Sequence, residues 1–596
     1  MNKLGTFAAA VLLACIASRP AFAEPAAHDG ARIAWMRDDT AAFARAKEEH
    51  RFVLLYLEAV WCHWCHVMDE KTYGNAVVAG LVNAHYVPLR IDQDLRPDLS
   101  NRYKDYGWPA TIILAADGSE LAKRQGYVPA GEFAELLQAI VKNPVPETAA
   151  HVATKTAAPT GTLSAAARDE LIKRHRDSYD ATFGGLTTTQ KFLDRDSVEY
   201  ALIAGQRGDA DETAMARKTL DAARALFDPA WGGVYQYSTH SDWQHPHYEK
   251  LATVQAQYLR IYALGYSALH ADEDRSAVLS IRRYLDAFLK SPDGAFYVSQ
   301  DADLKPGEHS GDYFALDDAE RRARGVPRVD THVYALQNGQ IAEALATWAE
   351  VGGDADALAE SRRAAEWILA HRSLPSCGFR HDEKDAEGPY LGDTLAMGRA
   401  FLALYRASAE RVWLERASAA ADFIEKNFRT TPAGYVSARS NGPIAALPQI
   451  EENIALARYA NLLSRYTGKA EQRATAQHAM RYLADPAVAL ASLTEPGVLI
   501  ADAEIAAEPL HLTVVGAKSD ARAAELFAGV QRAFAPYKRI EWWDRSEGPL
   551  PNPDVAYPPI KQPAAFVCTD RRCSLPILDA GRIAEFLVPE TGAASR

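Results

Sequence analysis

Phe52-Val53-Leu54-Leu55-Tyr56-Leu57-Glu58-Ala59-Val60-Trp61-Cys62-His63-Trp64-Cys65-His66 is an apolar run that ends in two cysteines two residues apart. Continuous apolar character over six residues, Phe52 to Leu57, reads as a buried strand. Trp61-Cys62 then opens a helix. Working outward, a short strand is expected at Ile33 to Met36 and a helix over Thr40 to Glu49. After the cysteines come a strand at Tyr86 to Ile91 and another at Thr111 to Ala115, introduced by Trp108-Pro109. Asp117-Gly118 marks a tight hairpin, and an amphipathic helix spans about Ala130 to Val141. That order of strands and helices, with CxxC at a helix start and Pro before a later strand, is the thioredoxin fold.

The chemistry follows from the position of the thiols. Two cysteines two residues apart close a small ring and reopen it by exchange with a substrate disulfide. Cys62, at the helix start, is expected to be the exposed nucleophile, its thiolate favoured by free backbone N–H groups. Cys65, a turn deeper, is expected to resolve the mixed disulfide. Trp61, His63, Trp64 and His66 surround the pair, and protonated His63 and His66 would lower the Cys62 pKa further. The Trp108–Pro109 bond is expected to be cis and to face the cysteines. Glu58, on the strand that feeds the motif, is a candidate proton shuttle for Cys65 and equally an ordinary strand-end carboxylate.

Cys62-His63-Trp64-Cys65-His66 also spells the haem c attachment string. That chemistry needs a solvent-facing loop and a distal ligand, whereas here a buried strand leads in and Trp108-Pro109 follows. A metal site built from Cys62, Cys65 and one histidine lacks a second ligand pair at matching spacing. The expected redox group is therefore the Cys62–Cys65 disulfide itself, with no metal and no haem c.

At 596 residues the chain exceeds one hydrophobic core. Hydrophobic residues make up 48% and charged residues 24%, the balance of a globular protein. Lys3, an apolar run from Leu4 to Ala17 and Ala21-Phe22-Ala23 read as a signal peptide over 1–23, with the mature chain starting at Glu24. Leu12-Leu13-Ala14-Cys15 matches a lipobox poorly, so a lipoprotein is the less favoured reading. The location expected is periplasmic or secreted, with no membrane span after cleavage. Net charge is −13, and losing Lys3 and Arg19 takes it to −15, which argues against nucleic-acid partners. Of the six cysteines, Cys15 leaves with the signal; the five that remain are Cys62, Cys65, Cys377, Cys568 and Cys573, so at least one thiol stays free.

The thioredoxin-like domain is placed at 24–143 and a Pro/Ala/Thr-rich linker at 144–162. From 163 to 507 the pattern is about a dozen Ala-rich amphipathic helices, punctuated by Gly followed by aromatic or branched residues. Examples are Phe183-Gly184-Gly185-Leu186, Trp231-Gly232-Gly233-Val234-Tyr235 and Gly294-Ala295-Phe296-Tyr297, then Cys377-Gly378-Phe379 and Gly434-Tyr435-Val436. Glycine supplies positive φ after a helix, and the β-formers behind it suit a short hairpin. An all-α (α/α)6 toroid is the architecture expected, with a superhelical stack as alternative. Residues 508–596 return to a small α/β segment associated with the toroid.

Taken together, the string WCHWCHVM, Arg96-Pro97-Asp98 and Gly107-Trp108-Pro109 resemble the YyaL-like family, also called spermatogenesis-associated protein 20-like. Pro246-His247-Tyr248-Glu249-Lys250, Asp301-Ala302-Asp303, Asn338-Gly339 and Phe566-Val567-Cys568 with Cys573 match in order. The resemblance implies a thioredoxin domain joined to a toroid similar to sugar epimerases and six-hairpin glycosidases. Where the family continues Met-Leu-Tyr-Asp-Asn after the lysine, this chain has Leu251-Ala252-Thr253-Val254-Gln255. A tryptophan expected before Asn338 is Gln337, and an upstream lysine is His332.

A candidate toroid pocket gathers His247, Glu249, Asp301, Asp303 and His332 at the end that carries the Gly-aromatic loops, beside Trp243, Tyr248 and Tyr297. The alternative assigns these side chains to caps and structural hydrogen bonds. Cys568 and Cys573 are expected to pair, or else to relay to the CxxC. The function expected is a thiol–disulfide oxidoreductase acting on protein or small-molecule disulfides, with the toroid binding a partner or ligand. Two alternatives stand beside it: a carbohydrate-active toroid taking a saccharide, and a non-catalytic scaffold.

Overall fold

The computed structural model describes residues 32–147, 161–385, 387–440, 442–569 and 572–587; the signal peptide expected over 1–23 and most of the linker expected over 144–162 lie outside them. In the first domain β1 (Phe52–Glu58) and β2 (Tyr86–Asp92) run parallel, while β3 (Ala110–Leu114) is antiparallel to β1 and β4 (Glu120–Gln125) antiparallel to β3. The sheet order is β2-β1-β3-β4. Val53 to Leu57 of β1 are wholly buried because helices cover both faces of the sheet. Phe43 and Leu99 lie in the core on one side, Phe133 and Leu137 in the core on the other.

One expected strand shrinks. Ile33 to Met36 contributes a single parallel bridge, Met36 to Leu89. Met36 N–H donates to Pro88 O, and Arg90 N–H donates to Met36 O. The next rung would need an N–H from residue 88, and proline has none.

The second domain closes on itself. Inner helices Arg195–Gln206, Ala252–Leu269, Ala335–Gly352, Leu391–Ser408, Ile450–Thr467 and Pro496–Ala506 pack in that order, and the last packs on the first. Outer helices Ala210–Ala223, Asp272–Tyr284, Ala355–His371, Arg411–Phe428, Ala470–Leu483 and Ala165–Asp177 back the ring. This is an (α/α)6 toroid.

The Gly-aromatic punctuation forms the links from outer to inner helices. Each link is a tight loop closed by one antiparallel bridge: Tyr179–Leu186, Phe227–Val234, Lys290–Phe296, Ser373–Phe379 and Arg429–Tyr435. In three of them an amide side chain from the start of the next inner helix clamps the loop. Gln255 binds both N–H and C=O of Val234, Asn338 both of Phe296, and Asn453 both of Tyr435. Each such hydrogen bond contributes about 1 kcal/mol and fixes where the loop sits. Gln255 thus performs at its helix start the clamping that Asn338 and Asn453 perform at theirs.

Both ends of the ring are covered. The sheet of Leu510–Val515, Lys538–Trp543 and Ala564–Cys568 lies at the C-terminal ends of the inner helices, where Lys538 Nζ meets Glu350 Oε1 at 2.8 Å and Gln531 donates to Ala407 O at 2.8 Å. The thioredoxin domain lies at the N-terminal ends, through Lys104–Glu451 at 2.6 Å, Asn101–Glu452 at 3.2 Å and Arg102 to Ala445 O at 2.8 Å. Between the covers, the bore holds a cavity of about 150 Å³ laced with ion pairs such as Arg260–Glu199, Arg458–Glu504 and Arg399–Glu343. Among the described residues no helix is long and apolar enough to cross a membrane.

Candidate functional site

β1 delivers Ala59 to Trp61 to the start of helix α2 (His63–Met68; α1 is Asp39–Glu49). Cys62 is its N-cap: the residue is extended and its Sγ accepts from Cys65 N–H at 3.2 Å. Cys62 and Cys65 are joined as a disulfide with Cα atoms 5.2 Å apart. The Trp108–Pro109 bond is cis, and Trp108 packs against the cluster of Ala59, Trp61, Cys62 and Cys65. Trp64, between the cysteines, is exposed and stacks on Tyr127.

Cys62 departs from expectation: it is 3% exposed, not an open nucleophile. Trp61 and Trp108 of its own domain share the cover with Leu251 of the toroid, which packs on the cysteine cluster. Alternation along the segment explains the placement. Lys250 points into the toroid core, its Nζ 2.6 Å from Asp228 Oδ2 and 2.9 Å from Gly232 O. Its neighbours Glu249 and Leu251 therefore face the other way, toward the redox motif.

The two histidines are not free either. Asp303 takes both: His63 Nδ1 lies 2.8 Å from Oδ1, and His66 Nδ1 lies 3.1 Å from Oδ2. Gly307 N–H adds a third donor at 2.7 Å. Burial pushes the Asp303 carboxyl up, but the hydrogen bonds from His63 and His66 outweigh it and hold it at about 2. His66 Nε2 faces Val60 O at 3.2 Å. An acceptor at each nitrogen favours the imidazolium, which donates from both. Burial opposes that charge, yet Asp303 and Asp301 raise the His66 pKa. The expected help of His63 and His66 to the thiolate is thus offset by an anion from the other domain. Asp301 accepts the N–H of Asp303 on Oδ1 at 2.8 Å and lies 3.9 Å from His66, yet burial lifts it to about 7.

Glu249 is 2% exposed. Its Oε1 lies 3.5 Å from the N–H of His63, and Oε2 has no hydrogen-bond partner. His247 Nδ1 stands 3.5 Å from Oε2, with the ring stacked on Tyr237. His332 does not join this group; it pairs with Asp330 and stacks on Tyr334. The expected common pocket is therefore corrected. Glu249, Asp301 and Asp303 converge on the CxxC helix, not on an open funnel, because the thioredoxin domain fills the mouth. The aromatic residues are spent as well: Trp243 is buried with Nε1 donating to Phe183 O, and Tyr248 stacks on Phe314. Glu58 is bound by Arg90, which also holds Asp69 at 2.7 Å, so its carboxylate is committed to an ion pair. A cavity of about 250 Å³ lies alongside, lined by Glu58, His66, Arg90, Asp301 and Asp303.

Ligand-type atoms of His66, Asp301 and Asp303 fall within 4.8 Å of one another. Both His66 nitrogens and Asp303 already have hydrogen-bond partners, so the group is a closed network.

A second bridge was missed in the sequence. Trp61 Nε1 donates to Asp94 Oδ2 at 2.6 Å, and His381 joins Asp94 O at 2.7 Å to Asp393 Oδ1 at 2.8 Å. Burial raises Asp94 to about 6, against the hydrogen bond from Trp61. The acidic Asp92-Gln93-Asp94 at the end of a strand was a signal for it; nothing local marked His381. Cys568 and Cys573 form a disulfide within the C-terminal sheet, beside Val515, Ala564 and Phe566. Cys377 is a free, exposed thiol.

Residues 23–154 match the family Thioredox_DsbH, described as a protein of unknown function, DUF255. Spermatogenesis-associated protein 20 of Rattus norvegicus is 23% identical over 409 residues, covering 62% of this chain and 49% of that protein. The thiol:disulfide interchange protein DsbD of a Pseudomonas strain is 32% identical over 120 residues, 19% of this chain and 20% of its own. A D-mannose isomerase structure aligns with a TM-score of 0.45 at 13% identity, over 58% of this chain and 98% of that one. The chain spans about half the length, or less, of the curated relatives it matches. The toroid assignment rests on the closed ring of helices described above. The resemblance to the spermatogenesis-associated protein 20-like family holds.

Proposed function

We propose that this spermatogenesis-associated protein 20-like chain is an exported thiol–disulfide oxidoreductase that works through Cys62 and Cys65. The observation that carries the reading is the disulfide at the start of α2, with Cys62 as N-cap and the Trp108–Pro109 segment packed against it. Local similarity to a thiol:disulfide interchange protein supports the same chemistry. In the first step a substrate thiolate attacks one sulfur of the Cys62–Cys65 bond, giving a mixed disulfide and one free Cys thiolate. A second thiol completes reduction of the pair, and the reverse sequence oxidises it. Both His66 nitrogens are engaged by protein acceptors, which favours exchange over haem attachment.

The toroid is read as the domain that covers and conditions this centre. The side chains on which a saccharide site would draw are spent between the domains, so the carbohydrate reading gains nothing from the geometry. An insulin-reduction or glutathione-exchange assay on the full chain tests the proposal. Wild type should exchange, and Cys62→Ser and Cys65→Ser should not; exchange that persists in both variants refutes it. Export is checked by fractionating cells that produce the full-length chain.

A further inference from the structure

Glu249 is a buried carboxylate that the exchange step does not use. Glu249 is 2% exposed and its Oε2 makes no hydrogen bond, so the side chain adds no hydrogen bond to the fold through that oxygen. The Lys250 anchor, fixed to Asp228 and Gly232, leaves the preceding residue no choice of direction. Oε1 ends 3.5 Å from the amide of His63, the residue next to Cys62, and Leu251 from the same segment lies on the cysteines. Asp303 already balances His63 and His66. The nearest cationic candidate to Glu249 is His247, 3.5 Å away and outside hydrogen-bond contact.

We infer that Glu249 is a positioning residue of the redox centre: its carboxylate, supplied by the toroid, opposes the Cys62 thiolate and holds the Cys62–Cys65 couple toward its reducing side. This rests on the oxidoreductase reading and deepens it. The sign follows from linkage. An anion facing the amide beside Cys62 disfavours a second anion on its sulfur, and a less stable thiolate means a less stable reduced form and a stronger reductant. The toroid then belongs to the redox centre, because it sets the direction in which electrons run.

The test equilibrates the full chain with mixtures of reduced and oxidised glutathione. Two glutathione thiols give two electrons and two protons to the Cys62–Cys65 bond, yielding the dithiol and one glutathione disulfide. Trapping with a mass-adding maleimide reads the ratio. Glu249→Gln should move the equilibrium constant about tenfold toward the dithiol, matching a fall of about one unit in the Cys62 pKa. Glu249→Asp, which keeps the charge, should stay near wild type. If Glu249→Gln fails to fold, Glu249→Ala takes its place. A Glu249→Gln protein that titrates as wild type overturns the inference alone. A wild-type pair that never equilibrates with glutathione overturns the oxidoreductase reading and the inference with it.

Discussion

The two ends of the toroid are closed by different physics. At the C-terminal ends of the inner helices, Lys538 satisfies all three of its protons, on Glu350 Oε1, Gln531 O and Ala533 O. Tyr466 OH takes the N–H of Ile540 at 2.8 Å, and the Cys568–Cys573 disulfide sits in an apolar β-cluster. At the other end the thioredoxin domain meets the ring through ionisable groups that are only half paired. Oxygens of Glu249, Asp330, Asp393 and Glu452 there are buried without hydrogen-bond partners; at the far end, among the described residues, the one such carboxylate oxygen belongs to Glu541. Burial lifts Asp301 to about 7 and Glu452 to about 8. One cover is a plug. The other gathers buried carboxyls raised by burial, with Asp301 among them beside His66 of the CxxC helix, and perturbed groups of this kind collect at functional sites.

The contrast is sharpest in the cysteines. Cys62→Ser should lower glutathione exchange by more than about 100-fold, since the nucleophile or its partner is lost. The double change Cys568→Ser and Cys573→Ser should leave exchange within about twofold. Loss of exchange in the second variant would make the C-terminal pair a relay and erase the distinction between the covers.

pH separates them next. An unfolded Asp301 carboxyl titrates near 3.8 and the folded one at about 7, so the native state holds the extra proton between those values. Its contribution to stability is therefore full below about pH 4 and is lost as pH rises toward and past 7. Asp303 has the opposite sign: lowered from 3.8 to about 2, it stabilises above about pH 4, and that is lost only as pH falls through 2. Asp301→Asn should raise stability at pH 8 by on the order of 1–3 kcal/mol and flatten the fall between pH 5 and 8. Thermal unfolding at both pH values decides it; an unchanged slope would mean that Asp301 is not strained by the interface.

The C-terminal bridge should act on stability alone. Its removal is expected to cost about 2 kcal/mol, the chain-entropy value for so short a loop, with a matching drop in the denaturant midpoint. Smallest is Cys377, exposed and unpaired. Cys377→Ala should shift stability by no more than about 0.5 kcal/mol and leave exchange untouched. A larger effect would show a third cysteine taking part.

Much of this was legible in the chain itself. CxxC behind a buried strand and Trp108-Pro109 before a later one identified the first domain, because those features are local in sequence and set by backbone geometry. The Gly-aromatic strings identified the toroid for the same reason: positive φ at Gly233, Gly294 and Gly434 is a local demand. The pairing of distant side chains was not legible. His63 and Asp303 are 240 residues apart, and His381 reaches the thioredoxin domain across 287. Composition and periodicity say which face of a helix is apolar; they do not say which loop of one domain will lie on the motif of another. Hence Cys62 read as open, Glu58 equally as a shuttle or a strand-end carboxylate, and His332 as a candidate for a pocket or a structural hydrogen bond. Tertiary structure buried the first, tied the second to Arg90 and left the third with Asp330. The sequence determined two folds and a disulfide chemistry. Only docking of one fold on the other decided the charge around that disulfide, because electrostatic environment depends on distance in space and on exclusion of water, and neither is encoded by neighbours along the chain.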